Sequence, residues 1–362
     1  MSIRTSRLSR PLLALSRPLL LSTLSTSTTR PVRPTVPLPA LRPVIPSHAM
    51  TMSTRTPDAA KGPKVHVALV QLPAAMPGGK AAQVARMREM VRDAVSQGRD
   101  AGEAVDLVVL GEMWNGQPSH DELVKNAEPI PAVGAPEASW PAEATTCREM
   151  ADAARESGVW LLGGSIPEAA DGRLYNCATV WSPEGTLVQT YRKTHLFDLA
   201  LEKMTYKESD TFGAGDRLAS FDTPFGRFGI AICYDIRFPE IATIAARQGC
   251  TAMFYPAAFN THTGPMHWEL LQRARALDNQ IYVATCSQAR DPGAKYEIYG
   301  HSMAVSPMGE VIGTAQEKEA IVRVTFDPEV IANTRAGIPL LTQRRFDLYA
   351  DVSVTPPTAN GK

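Results

Sequence analysis

GIAICYDIRFPE, residues 229–240, changes character at its centre. An apolar run leads up to Cys233, polar and charged residues follow, and from Phe238 and Pro239 the apolar spacing turns helical. A short apolar run bounded by turn signals reads as a buried strand, and a proline at the first helical position reads as a helix start. The stretch predicts a strand over 228–233, a turn, and a helix over 241–248, with a thiol at the strand exit. Strand exits are where α/β folds build their sites, so the position suits a nucleophile. Taken alone, the cysteine reads equally well as an inert core thiol.

Outward from this point the pattern repeats. Residues 65–71 (VHVALVQ), 106–110 (DLVVL), 159–163, 251–255 and 281–286 read as buried strands, and 80–94, 143–157 and 268–278 as helices. Residues 176–181 and 187–192 form a strand pair around a 183–185 turn. The segments 301–305, 311–314 and 320–326 resemble a β-meander, with a turn at 306–309 and a short helix and extended tail beyond Asp327. Alternating strands and helices predict an α/β protein with central sheets covered by helices. The strand pairs argue against a purely parallel doubly wound sheet.

The first 57 residues contain no Asp or Glu but eight Arg and nine Pro, with Leu8, Leu12, Leu15 and Leu19 at helical spacing. This is the composition of a mitochondrial transit peptide, so residues 1–57 are expected to be an import leader. A second start at Met50 or Met52 would give a cytosolic form. Residues 58–350 are expected to form one domain, and 351–362 a flexible tail. No stretch approaches the ~20 apolar residues of a membrane-spanning helix. The chain has 37 basic and 37 acidic residues, and eight of the basic ones lie in the leader, so residues 58–362 hold 29 basic against 37 acidic. The basic charge belongs to the leader, and no run in the body suggests nucleic-acid binding. The five cysteines are widely spread without a CxxC, which speaks against a disulfide framework or a cysteine zinc site.

A Rossmann glycine fingerprint and a P-loop are absent. Gly300-His301-Ser302 only loosely resembles a serine nucleophile elbow and leads into a strand rather than a helix. His262 and His267 lack the spacing of a metal-binding helix. Three other positions converge: Glu112 in VVLGEMWNG, Lys193 in TYRKTHLFD and Cys233 in IAICYDIRFPE each follow an apolar run. Each alone reads as a first solvated position or a core residue. Together they supply a base, a cation and a thiol, the parts of an activated nucleophile.

The three segments resemble the Glu–Lys–Cys signatures of the nitrilase superfamily of carbon–nitrogen hydrolases, over nearly all of 64–350. The likeness is nearest to the Nit branch and, within it, to omega-amidases. It is carried by GGSIPE (163–168), YRKTHLFD (191–198), CYDIRFPE (233–240), FNTHTGPMHWELLQRARALDNQ (259–280) and YGHSMAVSPMGEV (299–311). Tyr234-Asp235 after the cysteine resembles amide-cleaving rather than nitrile-cleaving members. The resemblance implies a four-layer αββα sandwich, a homodimer or higher homo-oligomer, and no metal or organic cofactor. It implies Cys233 as nucleophile, Glu112 as general base and acid, and Lys193 with the Tyr234 backbone N–H as oxyanion donors. It further implies Glu208 as a second glutamate orienting Lys193, and Arg237 as a grip for the distal carboxylate of a small amide substrate. A salt bridge from Arg237 to Glu240 or Asp235 is the structural alternative.

The activity implied is hydrolysis of the terminal amide of α-ketoglutaramate, α-ketosuccinamate and similar dicarboxylic monoamides. A deaminated-glutathione amidase and a catalytically silent scaffold of the same fold are the alternatives. Trp114, Phe197 and Tyr255 are candidates for pocket walls or for core. Two departures from the family pattern bear on pocket shape: Ala258 stands where glycine is expected, and the 199–204 loop (LALEKM) lacks Pro-Gly.

Overall fold

A computed structural model describes residues 62–116, 119–201 and 204–349. The expected leader with Met50 and Met52, the 351–362 tail, and residues 202 and 203 lie outside the described residues.

The first half of the chain runs β1 (Val65–Gln71), α1 (Gly79–Asp100), β2 (Leu107–Val109), α2 (His120–Asn126) and α3 (Thr145–Ser157). It continues through β3 (Trp160–Ala170), β4 (Arg173–Trp181), β5 (Leu187–Arg192), β6 (Asp198–Leu201) and β7 (Met204–Lys207). The second half runs β8 (Ala219–Thr223), β9 (Gly226–Ile230), α4 (Pro239–Arg247), β10 (Cys250–Pro256), α5 (Gly264–Asn279) and β11 (Tyr282–Cys286). It ends with β12 (Met303–Val305), β13 (Val311–Thr314), β14 (Ala320–Phe326), α6 (Pro328–Gly337) and α7 (Leu340–Gln343).

Two six-stranded sheets result, in the orders β14-β1-β2-β3-β4-β5 and β13-β12-β11-β10-β9-β8. Each has three parallel strands at its centre, β1-β2-β3 and β9-β10-β11, with antiparallel strands on both flanks. Side-chain alternation assigns the layers. Val65, Val67 and Leu69 of β1, with Leu107 and Val109 of β2, meet Phe228, Phe254 and Val283 of the second sheet. The alternate residues Ala68, Val70, Val108 and Leu110 face the other way, onto Met87, Val91, Met150 and Ala154 of α1 and α3. Helices α4 and α5 cover the outer face of the second sheet. The architecture is thus α/β, in four αββα layers. Each buried branched side chain contributes roughly 1.5–3 kcal/mol, and a one-residue slip of β1 would turn both of its faces inside out, so the register is strongly specified.

Three expectations are corrected. The strand leading to the cysteine ends at Ile230, because Cys233 has φ +45°, a left-handed conformation that no strand accommodates. The C-terminal meander is only a β12–β13 hairpin; β14 crosses to the first sheet and pairs antiparallel with β1, from Val65 opposite Phe326 to Gln71 opposite Ala320. The 199–204 segment is not a plain loop, since its described residues belong to the β6–β7 hairpin, whose Asp198 pairs with Lys207.

Candidate active site

Glu112 lies just past the end of β2, in a turn held against β3. The Ser165 N–H donates to the Gly111 carbonyl at 3.0 Å, and the Met113 N–H to Ser165 Oγ at 3.1 Å. This close approach requires Gly164, with φ +63°: a Cβ there would stand 2.0 Å from the Gly111 oxygen.

Lys193 is the first residue after β5, at an edge of the same sheet, and is 2 % exposed. Its ammonium donates to Glu112 Oε1 at 2.9 Å and lies 2.9 Å from Glu208 Oε2. Glu208, in a short turn following β7, is anchored by the Phe197 backbone N–H, 2.6 Å from Oε2. Asn176, on β4, completes the group: its Nδ2 donates to Glu112 at 2.8 Å and to Glu208 at 3.2 Å. Burial works against the Lys193 charge, but Glu112, Glu208 and Cys233 outweigh it and hold the ammonium well above its ordinary range. Sequence patterning singled out Glu112 and the lysine, the family resemblance added Glu208, and neither pointed to Asn176, which lies within an apolar strand.

Cys233 enters this group from the other sheet. It opens a single 3₁₀ turn, Cys233–Arg237, three residues beyond β9. A left-handed non-glycine residue costs on the order of 1–3 kcal/mol. The turn is stabilised by Asp235, which is fully buried and accepts from the Ile232 N–H at 2.9 Å. The same carboxylate accepts from Tyr191 Oη at 2.7 Å, Thr194 Oγ1 at 3.1 Å and the His195 N–H at 3.0 Å, with His195 Nδ1 at 2.8 Å. Tyr191, Thr194 and His195 surround Lys193 in sequence, so Asp235 ties the Cys233 turn to the lysine segment across the two sheets. The His195 ring stacks on Phe238 at 3.7 Å and adds a second tie. Neither bond set is legible in the sequence, because an acidic residue two positions after the cysteine reads as solvated.

Burial pushes the Cys233 thiol well above its ordinary value, and the Glu112 carboxylate pushes it further. Lys193 and the Ala258 backbone N–H pull downward without prevailing. Cys233 therefore rests as a thiol with a carboxylate nearby to receive its proton. Tyr234, the second residue of the turn, has a backbone N–H at a position that finds no partner within a helical turn. Ala258 contributes its backbone, with its carbonyl accepting from Tyr296 Oη at 2.7 Å; its φ is not positive, so no glycine is required there.

Arg237 closes the same turn. Its guanidinium lies over the rings of Tyr234, at 5.6 Å, and Phe259, at 5.1 Å, and its Nη1 is 3.2 Å from His267 Nδ1. The expected alternative salt bridge to Glu240 or Asp235 does not form: among the described residues no carboxylate is within ion-pair distance of Arg237. His267 is lowered below its ordinary value by burial, then by Arg237 and His262.

The remaining candidates separate cleanly. Phe197 meets Tyr234 edge-on at 5.2 Å and Tyr206 at 5.8 Å, beside the site. Trp114 donates to the Gly163 carbonyl and lies in the core under α1 and α3, and Tyr255, next in β10 to the inward-facing Phe254, is fully buried on the opposite face of that strand. Ser302 is fully buried with its hydroxyl committed to Gln71 Oε1 at 2.8 Å, which removes it as a nucleophile. No group of three or more His, Cys, Asp or Glu among the described residues could hold a metal ion, and no described helix is long and apolar enough to cross a membrane.

Two packed sheets that bring a thiol, a lysine and two glutamates to one point define a class. A carbon–nitrogen hydrolase family model matches residues 66–336, and the chain belongs to that family, within the nitrilase superfamily. By class it is a cysteine amidase acting on a small-molecule amide. More narrowly, it groups with the Nit2 and Nit3 proteins. It is 44% identical to omega-amidase NIT2 of Homo sapiens over 272 residues, covering 75% of this chain and 92% of that one. It is likewise 44% identical to a hydrolase of Schizosaccharomyces pombe over 287 residues, 79% of this chain and 84% of that one. The crystal structure of Saccharomyces cerevisiae Nit3, a member of branch 10 of the superfamily, superposes with a TM-score of 0.69 at 39% identity, covering 78% of this chain and 97% of that one.

Proposed function

We propose that the protein is an omega-amidase, hydrolysing the terminal amide of α-ketoglutaramate, α-ketosuccinamate and similar dicarboxylic monoamides to the acid and ammonia. The observation that carries this reading is Arg237, a guanidinium in the same turn as Cys233 that has no carboxylate partner among the described residues. A planar guanidinium suits a second carboxylate on the substrate. The names of the Nit2 and Nit3 relatives support the same substrate class.

In this mechanism Glu112 takes the Cys233 proton as the sulfur attacks the amide carbon. The amide oxygen becomes an oxyanion received by Lys193 Nζ and the Tyr234 N–H, donors of the kind whose loss costs about 10²–10³ in rate. Glu112 returns the proton to the amide nitrogen, ammonia leaves, and a thioester remains. Glu112 then removes a proton from water, whose oxygen attacks the thioester; the sulfur leaves with that proton and the carboxylic acid is released. Glu208 and Asn176 hold the Lys193 and Glu112 side chains in place.

The test is ammonia release from α-ketoglutaramate, succinamate and deaminated glutathione by the wild type and Cys233→Ala. The expected result is activity on the first two, abolished in Cys233→Ala. Preference for deaminated glutathione would overturn the substrate, activity surviving in Cys233→Ala the mechanism, and silence on every amide the enzyme itself.

Import into mitochondria through residues 1–57 is proposed from their acid-free, Arg-rich composition, with a cytosolic form starting at Met50 or Met52. Peptide mass mapping of native N-termini in each compartment checks both. A homodimer is proposed from the exposed apolar side chains Met266, Leu270 and Leu277 of α5, next to the turn that carries exposed Met308. Light scattering giving a monomer mass at micromolar concentration would remove it.

A further inference from the structure

The arginines around this site differ in what holds them. Arg192 forms a two-pronged pair with Glu168, both bonds 2.7 Å. Arg275 donates to the Ile236 carbonyl at 2.8 Å and the Arg237 carbonyl at 3.1 Å. Among the described residues Arg237 has neither kind of partner. The Tyr234 and Phe259 rings restrain a guanidinium placed over them but leave it free to turn in its own plane. The contact that stops this turning is His267 Nδ1, 3.2 Å from Nη1. Nδ1 can accept there only when its ring is neutral and carries its proton on Nε2. Burial, Arg237 and His262 all disfavour the imidazolium, so the ring is kept in the accepting form.

We propose that His267 is a specificity-determining positioning residue: it orients Arg237 without neutralising it, and so reserves the guanidinium charge for the carboxylate of the substrate. This deepens the omega-amidase reading and rests on it. A carboxylate at position 267 would hold the same nitrogen equally well, but it would cancel the charge and compete with the substrate. An apolar side chain would leave the charge but let the head group turn. A neutral acceptor does both jobs. His267 suits the role by its placement, since the first turn of α5 lies beside the Cys233–Arg237 turn.

The experiment compares kcat/KM for succinamate with kcat/KM for butyramide, which matches its chain but lacks the carboxylate. The wild type is measured beside His267→Asn, His267→Phe and His267→Asp, each checked for its melting temperature. Asparagine places Oδ1 where Nδ1 stands. The expected succinamate-to-butyramide ratio is within about threefold of wild type for Asn. It falls about tenfold for Phe, the cost of losing one charge-assisted hydrogen bond, and further for Asp. The loss is expected in KM for succinamate rather than in kcat. His267→Leu replaces the Phe variant if that does not fold. A wild-type ratio preserved in Phe or Leu, or an Asn variant falling as far as Phe, overturns the role of His267 while leaving the omega-amidase reading in place. A wild type that shows no preference for succinamate over butyramide overturns that reading and the proposal with it.

Discussion

Replacing Lys193 with methionine should have a pH-dependent cost. Methionine nearly matches the lysine stem in volume, so the cavity is small and the lost charge dominates. The ammonium touches Glu112 and Glu208, each at 2.9 Å, at a position that is 2 % exposed. Removing one partner of a buried ion pair costs roughly 3–5 kcal/mol. In a chain of this size that is a fall in melting temperature on the order of 10 °C. The wild-type lysine is held above its reference of 10.5, so its stabilisation is complete below that pH and is lost only as pH rises through the folded value. In Lys193→Met the two carboxylates share only Asn176, at 2.8 and 3.2 Å, and one of them should rise above the unfolded value of about 4.3. A carboxyl raised in the folded state binds its proton there. The variant is therefore most stable at low pH and weakens as pH rises through the raised value. The gap to wild type should widen from about pH 5 to pH 8, and ammonia release should fall at least about a hundredfold through the loss of the proposed oxyanion donor. Thermal unfolding at both pH values and an ammonia assay measure this. A gap equal at both pH values, or a variant retaining a tenth of wild-type kcat, would refute the assignment.

Asp235→Asn should lower kcat more than tenfold with KM within about threefold and cost roughly 3 kcal/mol, because its amide group cannot accept from all the donors that converge there; steady-state kinetics beside unfolding curves check it. Asn176→Leu removes the donor shared by both glutamates, and kcat should fall about ten- to a hundredfold; a value within twofold of wild type in the ammonia assay would sink the bridging role. The ultraviolet difference between wild type and Cys233→Ala, followed from about pH 6 to pH 9, should show no thiolate step, since burial and Glu112 keep the proton on sulfur. A step near neutrality would mean that Lys193 prevails over both.

The parts of this site that the sequence disclosed are those whose chemistry is rare at a strand exit. Glu112, Lys193 and Cys233 each end an apolar run, and short buried strands with helical segments between them already implied central sheets covered by helices. What stayed hidden depends on partners distant in the chain. Asp235 looks solvated until Tyr191 and Thr194 arrive from the other sheet, and Asn176 until two glutamates converge on it. The crossing of β14 was invisible for the same reason: Ala320–Phe326 has the pattern of a meander strand, and only the vacancy beside β1 decides where it goes. His267 gave no signal beyond lacking metal-helix spacing, because nothing in its neighbourhood of sequence names Arg237 as its neighbour.

That same crossing sets a clock on the making of the protein. His66 and Thr325, which hydrogen-bond at 3.0 Å, are separated by 259 residues of chain. At a ribosomal pace of about 5–20 residues per second, β1 is out of the tunnel for some tens of seconds before the strand that seals its outer edge exists. Throughout that interval the nascent chain carries an apolar strand with one row of backbone donors and acceptors unpaired, which is a template for intermolecular pairing. The final strand thus does in the finished molecule what a holding chaperone does during synthesis, and truncations ahead of Ala320 should yield aggregates rather than soluble, weakened enzyme.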